Sequence, residues 1–460
     1  MRLTGWVGVL GCVSVLWACG GGPGDGSDAG PVDELGCGVH TDCGECLRNL
    51  GQGGCSWCAG TSTCVPDIDR GGVCEYGWTP EVSECDDPRL AVRSTLDVDC
   101  RVPETSDPRC QEPRGGEGAG SVGEGPDFDF SSILVIKGGA IDAARNRVLV
   151  AFGVADASRL HGSGLMVVDL DTGDRELLTG TIDDPVLGLV SAGTGPAIEG
   201  EAMDVAVAPD GTYVLAISQP AGSDWYLRLL RVDPASGERT LIAQDEPRLC
   251  SHGGRELAFG PQAVCIGCNG WDGEPRIAVG GDGTIYAPLT GQSGEYGVGA
   301  LASDGSCRVV TFSDRDREID LGTGPLFGDN VHSLALEGAS LLANVGGGLL
   351  ARVDIASGTR SVVSWENQSV GEGPDVGGDT VEPSEDGQRA ITAGGENRLV
   401  LVDLGSGDRT HLIELGGPLS AGTIADAMFH PDDPGVIVFL QPYSVGLYEI
   451  ATGNSATLSY

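Results

Sequence analysis

Leu399-Val400-Leu401-Val402-Asp403-Leu404-Gly405-Ser406-Gly407-Asp408-Arg409 is the stretch that decides the fold. A short Val-rich run ends on an aspartate, and two spacer residues later comes Ser-Gly-x-Arg. The run has the length of a buried strand rather than a helix, and its glycine supplies the positive φ that a tight hairpin requires. The phrase recurs at Asp169…Thr172-Gly173-Asp174-Arg175, Asp233…Ser236-Gly237-Glu238-Arg239 and Asp354…Ser357-Gly358-Thr359-Arg360. Degenerate copies stand at Ser303-Asp304-Gly305-Ser306-Cys307-Arg308 and Glu449…Thr452-Gly453-Asn454.

Two other phrases keep step with it. Pro209-Asp210-Gly211, Asp282-Gly283 and Glu385-Asp386-Gly387 each precede an apolar run. Gly-x-Gly-Pro appears at Gly123-Glu124-Gly125-Pro126, Gly193-Thr194-Gly195-Pro196, Gly322-Thr323-Gly324-Pro325 and Gly371-Glu372-Gly373-Pro374, with Gly416-Gly417-Pro418 as a shortened copy. Overlaid, the three give six units of roughly 45–70 residues, each with about four strand candidates and no helix pattern. The expectation is an all-β chain with a six-bladed β-propeller over residues 128–460, hiding its sheet edges by radial repetition. Seven blades stay open, because Ile133-Leu134-Val135-Ile136 has no settled place. The repeats resemble NHL, lactonase-like and WD-like propellers, without the WD dipeptide.

Ahead of the repeats the texture changes. One charge, Arg2, precedes a hydrophobic stretch from Trp6 to Trp17 and the tetrad Leu16-Trp17-Ala18-Cys19. A charged start, an apolar run and small residues before a cut site make a secretory leader over residues 1–18. The tetrad resembles the lipobox of bacterial lipoproteins, which implies an acylated Cys19 and a lipid bilayer as one partner. Gly20 after that cysteine implies, by the same resemblance, an outer membrane lipoprotein facing the periplasm or the cell surface. Residues 19–36, rich in Gly, Asp and Pro, read as a flexible leash.

Sixteen cysteines are present, and without Cys12 of the leader and the lipidated Cys19 an even fourteen are left. In an oxidising compartment an even set reads as disulfides. Residues 37–85 are too few to build a sufficient core and need covalent staples. The run Cys43-Gly44-Glu45-Cys46 … Cys55-Ser56-Trp57-Cys58 … Cys64 resembles a plexin–semaphorin–integrin (PSI) module. That resemblance implies the pairs Cys37–Cys55, Cys43–Cys85, Cys46–Cys64 and Cys58–Cys74. Residues 86–127 read as a disulfide-containing linker in which Cys100 and Cys110 pair most simply with each other.

Lys+Arg number 27 against 67 Asp+Glu, a formal net charge of −40, and such a field repels a phosphate backbone, so no nucleic-acid partner is expected. Counting back from the Pro-Asp-Gly phrase places one equivalent residue per blade at the channel mouth: Gly139, Asp204, Arg276, His332, Thr380 and Asp426. Asp204, His332 and Asp426 are the donors that could hold a divalent cation, while Arg276 would repel one. No cofactor is otherwise expected.

An insertion at residues 245–275 carries Cys250, Cys265 and Cys268, which with Cys307 make two bridges of open pairing. It would present Arg255 and Trp271, residue types favoured at hot spots. The functional expectation is a monomeric, membrane-anchored binding scaffold whose propeller rim takes a protein, small-molecule or glycan ligand. The alternative is a propeller enzyme, lactonase-like or lyase-like, built on Asp204, His332 and Asp426 around a cation.

Overall fold

The computed structural model describes most of residues 134–459, apart from connecting stretches of which 260–275 and 415–423 are the longest. Ahead of that it describes residues 94–96, 98, 100, 107–110 and 123–126 and three short strands between 55 and 79. Those three strands, Cys55–Cys58, Thr63–Pro66 and Trp78–Thr79, form a small antiparallel sheet with Cys55–Cys58 in the middle.

Six antiparallel sheets then follow in chain order as the blades of a propeller. The innermost strands are Leu134–Asp142, Glu201–Val207, Ala278–Val279, Val331–Glu337, Thr380–Pro383 and Asp426–Phe429. Each blade runs outward through consecutive hairpins, so neighbours in sequence are neighbours in the sheet. The run around Ile133-Leu134-Val135-Ile136 finds its place as the first strand of blade 1, which sets the count at six. Blade 3 is enlarged, because the hairpin Cys250–His252/Arg255–Phe259 from the insertion pairs through Ala258 and Phe259 onto Ile285–Thr290.

The repeat phrases occupy equivalent positions. Pro-Asp-Gly turns the chain from first to second strand, with the N–H of Gly211 donating to Ala208 O. Asp-x-x-Ser/Thr-Gly turns it from third to fourth. There Asp169 Oδ1 accepts the N–H groups of Asp171 and Thr172, and Gly173 takes φ +75°. In every blade a bulge displaces the ladder between third and fourth strands, for example at Leu165/Met166 and Leu350/Ala351. Bulges increase local twist, and each blade of a propeller needs the same twist to stack on the next.

The apolar core is divided in the same way. Six clusters of buried side chains lie one per blade–blade joint, such as Leu149, Leu165, Tyr213 and Leu215 between blades 1 and 2. Each blade is therefore buried on both faces and depends on two neighbours, the nearest-neighbour stability logic of repeat proteins.

Polar latches sit over four of these joints. At the joint between blades 1 and 2, Arg239 Nε donates to Pro196 O at 2.8 Å and its Nη1 to Thr179 Oγ1, while Arg239 N donates to Thr194 O. Arg360 repeats this with Pro325 and Thr311 between blades 3 and 4, and Arg409 with Pro374 and Ser364 between blades 4 and 5. Arg175 repeats it with Pro126 O (2.7 Å) and Ser459 Oγ (2.8 Å) between blades 6 and 1. The second glycine of each linker is a steric necessity. A Cβ on Gly195, at φ +107°, would lie 2.2 Å from Arg239 O.

Ring closure follows from the last of these latches. Residues 123–126 precede blade 1 in sequence but fill the joint between blades 6 and 1, so a linker closes the ring where no strand is exchanged.

The other two joints lack the arginine. Blade 6 carries Ser455 at the corresponding strand start, and its hairpin instead grips Ser94, Thr95, Val98 and Cys100. Glu449 accepts from Ser94 Oγ (2.8 Å), Thr95 N (2.8 Å) and Thr95 Oγ1 (2.5 Å). Asn454 Oδ1 accepts Cys100 N at 2.9 Å, and Asn454 Nδ2 donates to Ser94 Oγ and Val98 O. Cys100–Cys110 is a disulfide, as the sequence led one to expect. Blade 3 carries Cys307 in the arginine's place, and Cys307 is itself disulfide-bonded, to a partner outside the described side chains.

Candidate functional site

The six first strands enclose a cavity of about 280 Å³ on the propeller axis. Its upper layer brings together Asp204, Arg276, Thr380 and Asp426 from blades 2, 3, 5 and 6, as counting along the repeats led one to expect. Gly139 of blade 1 is there too. His332 is not in the lining, and Ser333 stands in its place. The ladder of Val331–Glu337 is displaced between Val331 and Ser333, so His332 falls out of register and its neighbour takes the channel position. The sequence count could not see that slip, because a one-residue shift reverses which side chain faces which way.

Arg276 organises this layer. Its Nη1 lies 3.5 Å from Asp204 Oδ1 and 3.3 Å from Asp426 Oδ2, and its Nη2 donates to Ala425 O at 2.6 Å. The guanidinium thus sits between the two carboxylates, where the expectation put a divalent cation. Backbone N–H groups take further lone pairs of both carboxylates. Ile277 N donates to Asp204 Oδ2 at 2.6 Å, Gly139 N to Asp426 Oδ2 at 2.9 Å and Ala427 N to Asp426 Oδ1 at 2.9 Å.

A glycine makes room for the arginine: a Cβ on Gly138 would stand 1.6 Å from Arg276 Nη1. Gly138 follows the bulge at Ile136/Gly138, which also carries Lys137, the chain's single lysine, buried 3.8 Å from Glu201 Oε2.

Burial dominates the proton affinities here. It raises the Asp204 carboxyl to about 7, with Arg276 pulling down and Asp426 pushing up. Asp426 is raised for the same first reason, and Arg276 again opposes.

One layer along the axis the lining turns apolar, with Ala206, Ala278, Ala335 and Met428 two residues after the polar set. Blade 5 breaks that layer with Glu382, a residue the sequence reading missed. Burial, and then the charges of Asp426 and Asp204, lift its carboxyl to about 8. The signal was present: strand alternation from Thr380 puts Glu382 on the same side two residues on.

Several expected site residues lie outside the described residues. These are Cys19, Trp271, and the side chains of Arg255, of the cysteines between 37 and 85, and of Cys250, Cys265 and Cys268. Among the described residues no group of three or more His, Cys, Asp and Glu is arranged to hold a metal ion, and no helix is long and apolar enough to cross a membrane.

No family model matches the chain, and no curated protein matches it either. Among solved structures it is similar to a structural genomics protein of unknown function from Bacteroides thetaiotaomicron, at 11% identity and a TM-score of 0.42 over 74% of each chain.

Proposed function

We propose that the protein is an extracytoplasmic lipoprotein, tethered to the outer membrane through Cys19, whose six-bladed propeller is a binding scaffold for a protein, small-molecule or glycan ligand. The observation that carries the binding half is the commitment of the axial polar layer to itself. Arg276 spans Asp204 and Asp426, and backbone N–H groups of Ile277, Gly139 and Ala427 bind the same carboxylates. Such a layer orders an aperture and leaves the rim loops, where recognition residues concentrate, as the variable surface. The anchoring half is supported by the leader, the lipobox-like tetrad and the leash of residues 19–36.

Fractionation tests the anchor. Cys19→Ala should move the protein from the membrane to the soluble fraction with an unchanged thermal midpoint, and a variant that stays in the membrane overturns the anchor. Metal analysis of the purified protein tests the rest. Stoichiometric calcium or zinc, with a matching rise in thermal midpoint, would replace the scaffold reading with the cation-dependent enzyme.

A further inference from the structure

The axial cavity holds two polar groups that the self-satisfied layer does not use. Ser333 lines it, is 1% exposed, and its hydroxyl has no hydrogen-bond partner among the described residues. Glu382, on the neighbouring blade, lines it among alanines, and burial and the charges of Asp426 and Asp204 act on its carboxyl. A buried hydroxyl without a partner is costly, so the persistence of Ser333 at a cavity wall points to a ligand.

The chemistry of that ligand can be read from the lining. Burial keeps the Asp204 and Glu382 carboxyls of the lining protonated up to about pH 7 and about pH 8, and a cation placed beside Glu382 would favour its ionised form. Ser333 Oγ and Glu382 offer acceptors to a group with several N–H donors, the inventory of an ammonium. Ala206, Ala278 and Ala335 contribute only methyl groups at the next level, which leaves room for an aliphatic stem beside Met428.

We propose that this cavity binds a primary alkylammonium group, its charge held by Glu382 and Ser333 and its stem lying along Ala206, Ala278, Ala335 and Met428. The proposal rests on the scaffold reading only in treating the propeller as a binding protein, and it is tested without reference to anchoring or metal content.

Calorimetric titration of the detergent-solubilised full chain with n-butylammonium chloride should show saturable one-to-one binding. Glu382→Gln should weaken it at least tenfold and Ser333→Ala several-fold, both variants keeping the wild-type circular dichroism. The neutral n-butanol should not bind. No saturable binding by the folded wild type overturns the proposal, as does equal affinity in Glu382→Gln, equal binding of n-butanol, or displacement of n-butylammonium by stoichiometric calcium. A capped Gly-Lys-Gly peptide separates the sources. Tighter binding than n-butylammonium assigns the ammonium to a partner's lysine, weaker binding to a free amine, and either supports the site.

Discussion

Four of the six blade joints are closed by an arginine, and two are not. The difference extends to the partner residue. Four residues after each fourth-strand start stand Thr179, Thr311, Ser364 and Ser459 on the blades that precede an arginine. At the two joints without one the same position holds Ala243 and Ile413. Donor and acceptor are present together or absent together, since a buried guanidinium without its acceptor, or a hydroxyl without its donor, is costly. Where the pair is missing something else holds the hairpin: Ser94, Thr95, Val98 and Cys100 on blade 6 and a disulfide from Cys307 on blade 3. On blade 6 the departure from the repeat thus marks where chain ahead of the repeats is attached.

The largest test of that comparison is removal of the attachment. A chain beginning at residue 128 loses the closing linker at the joint of blades 6 and 1 and the strap on blade 6, with at least five hydrogen bonds worth ~1 kcal/mol each. Its urea midpoint should fall steeply against a chain beginning at residue 94, or it should not fold. Equal midpoints would show that the ring closes without either.

Next in size is a single latch. Arg360 is 2% exposed and donates to Pro325 O, Thr311 Oγ1, Phe312 O and Leu321 O. Arg360→Ala should cost on the order of 3 kcal/mol, and Arg360→Lys should recover little, because an ammonium cannot reproduce the planar fork. Arg308 is the control, an exposed arginine one residue past the Cys307 position, and its replacement by alanine should change the unfolding free energy by less than ~0.5 kcal/mol. If the two cost the same, the latch is not the stabilising element.

Smaller still is the strap. Asn454→Ala removes the Cys100 N, Ser94 and Val98 contacts, and thermal unfolding should register a loss of ~1–2 kcal/mol, close to nothing in the chain that begins at 128.

The axis sharpens the contrast through pH, because joints use neutral acceptors and the axis uses buried acids. Asp204 and Glu382 have folded proton affinities raised to about 7 and about 8. A raised carboxyl contributes most below its unfolded value, and that contribution is lost as pH rises through the folded one. The thermal midpoint should therefore decline between about pH 4 and pH 8, a window flanked by the unfolded carboxylate value. Arg276→Met, by removing the cation that opposes the rise, should steepen the decline, and Glu382→Gln should flatten it. A pH-independent midpoint in all three would place the stabilising charges elsewhere.

The all-β class, the six-fold repeat, the two turn types and the Cys100–Cys110 bridge were legible in the chain. Each depends on local chemistry: short continuous apolar runs, glycine at positive φ, an aspartate capping its own turn, and two cysteines near in sequence. The meaning of Gly-x-Gly-Pro and of the repeat arginine was not legible, although both were visible as motifs, because their contact joins residues some 35–50 positions apart.

At the axis, four residues from four blades came together as their spacing implied. His332 did not, since a bulge is a property of the paired strands and not of one strand's sequence. Glu382 required knowing which layer of the channel a second carboxylate enters, and that is set by six strands meeting on one axis. Sequence alone determined what each blade is, because a blade is made of short apolar runs and local turns. Only tertiary structure decided how the ring is closed and what its centre offers a ligand, because both are made of residues that meet solely when blades 6 and 1 pack together.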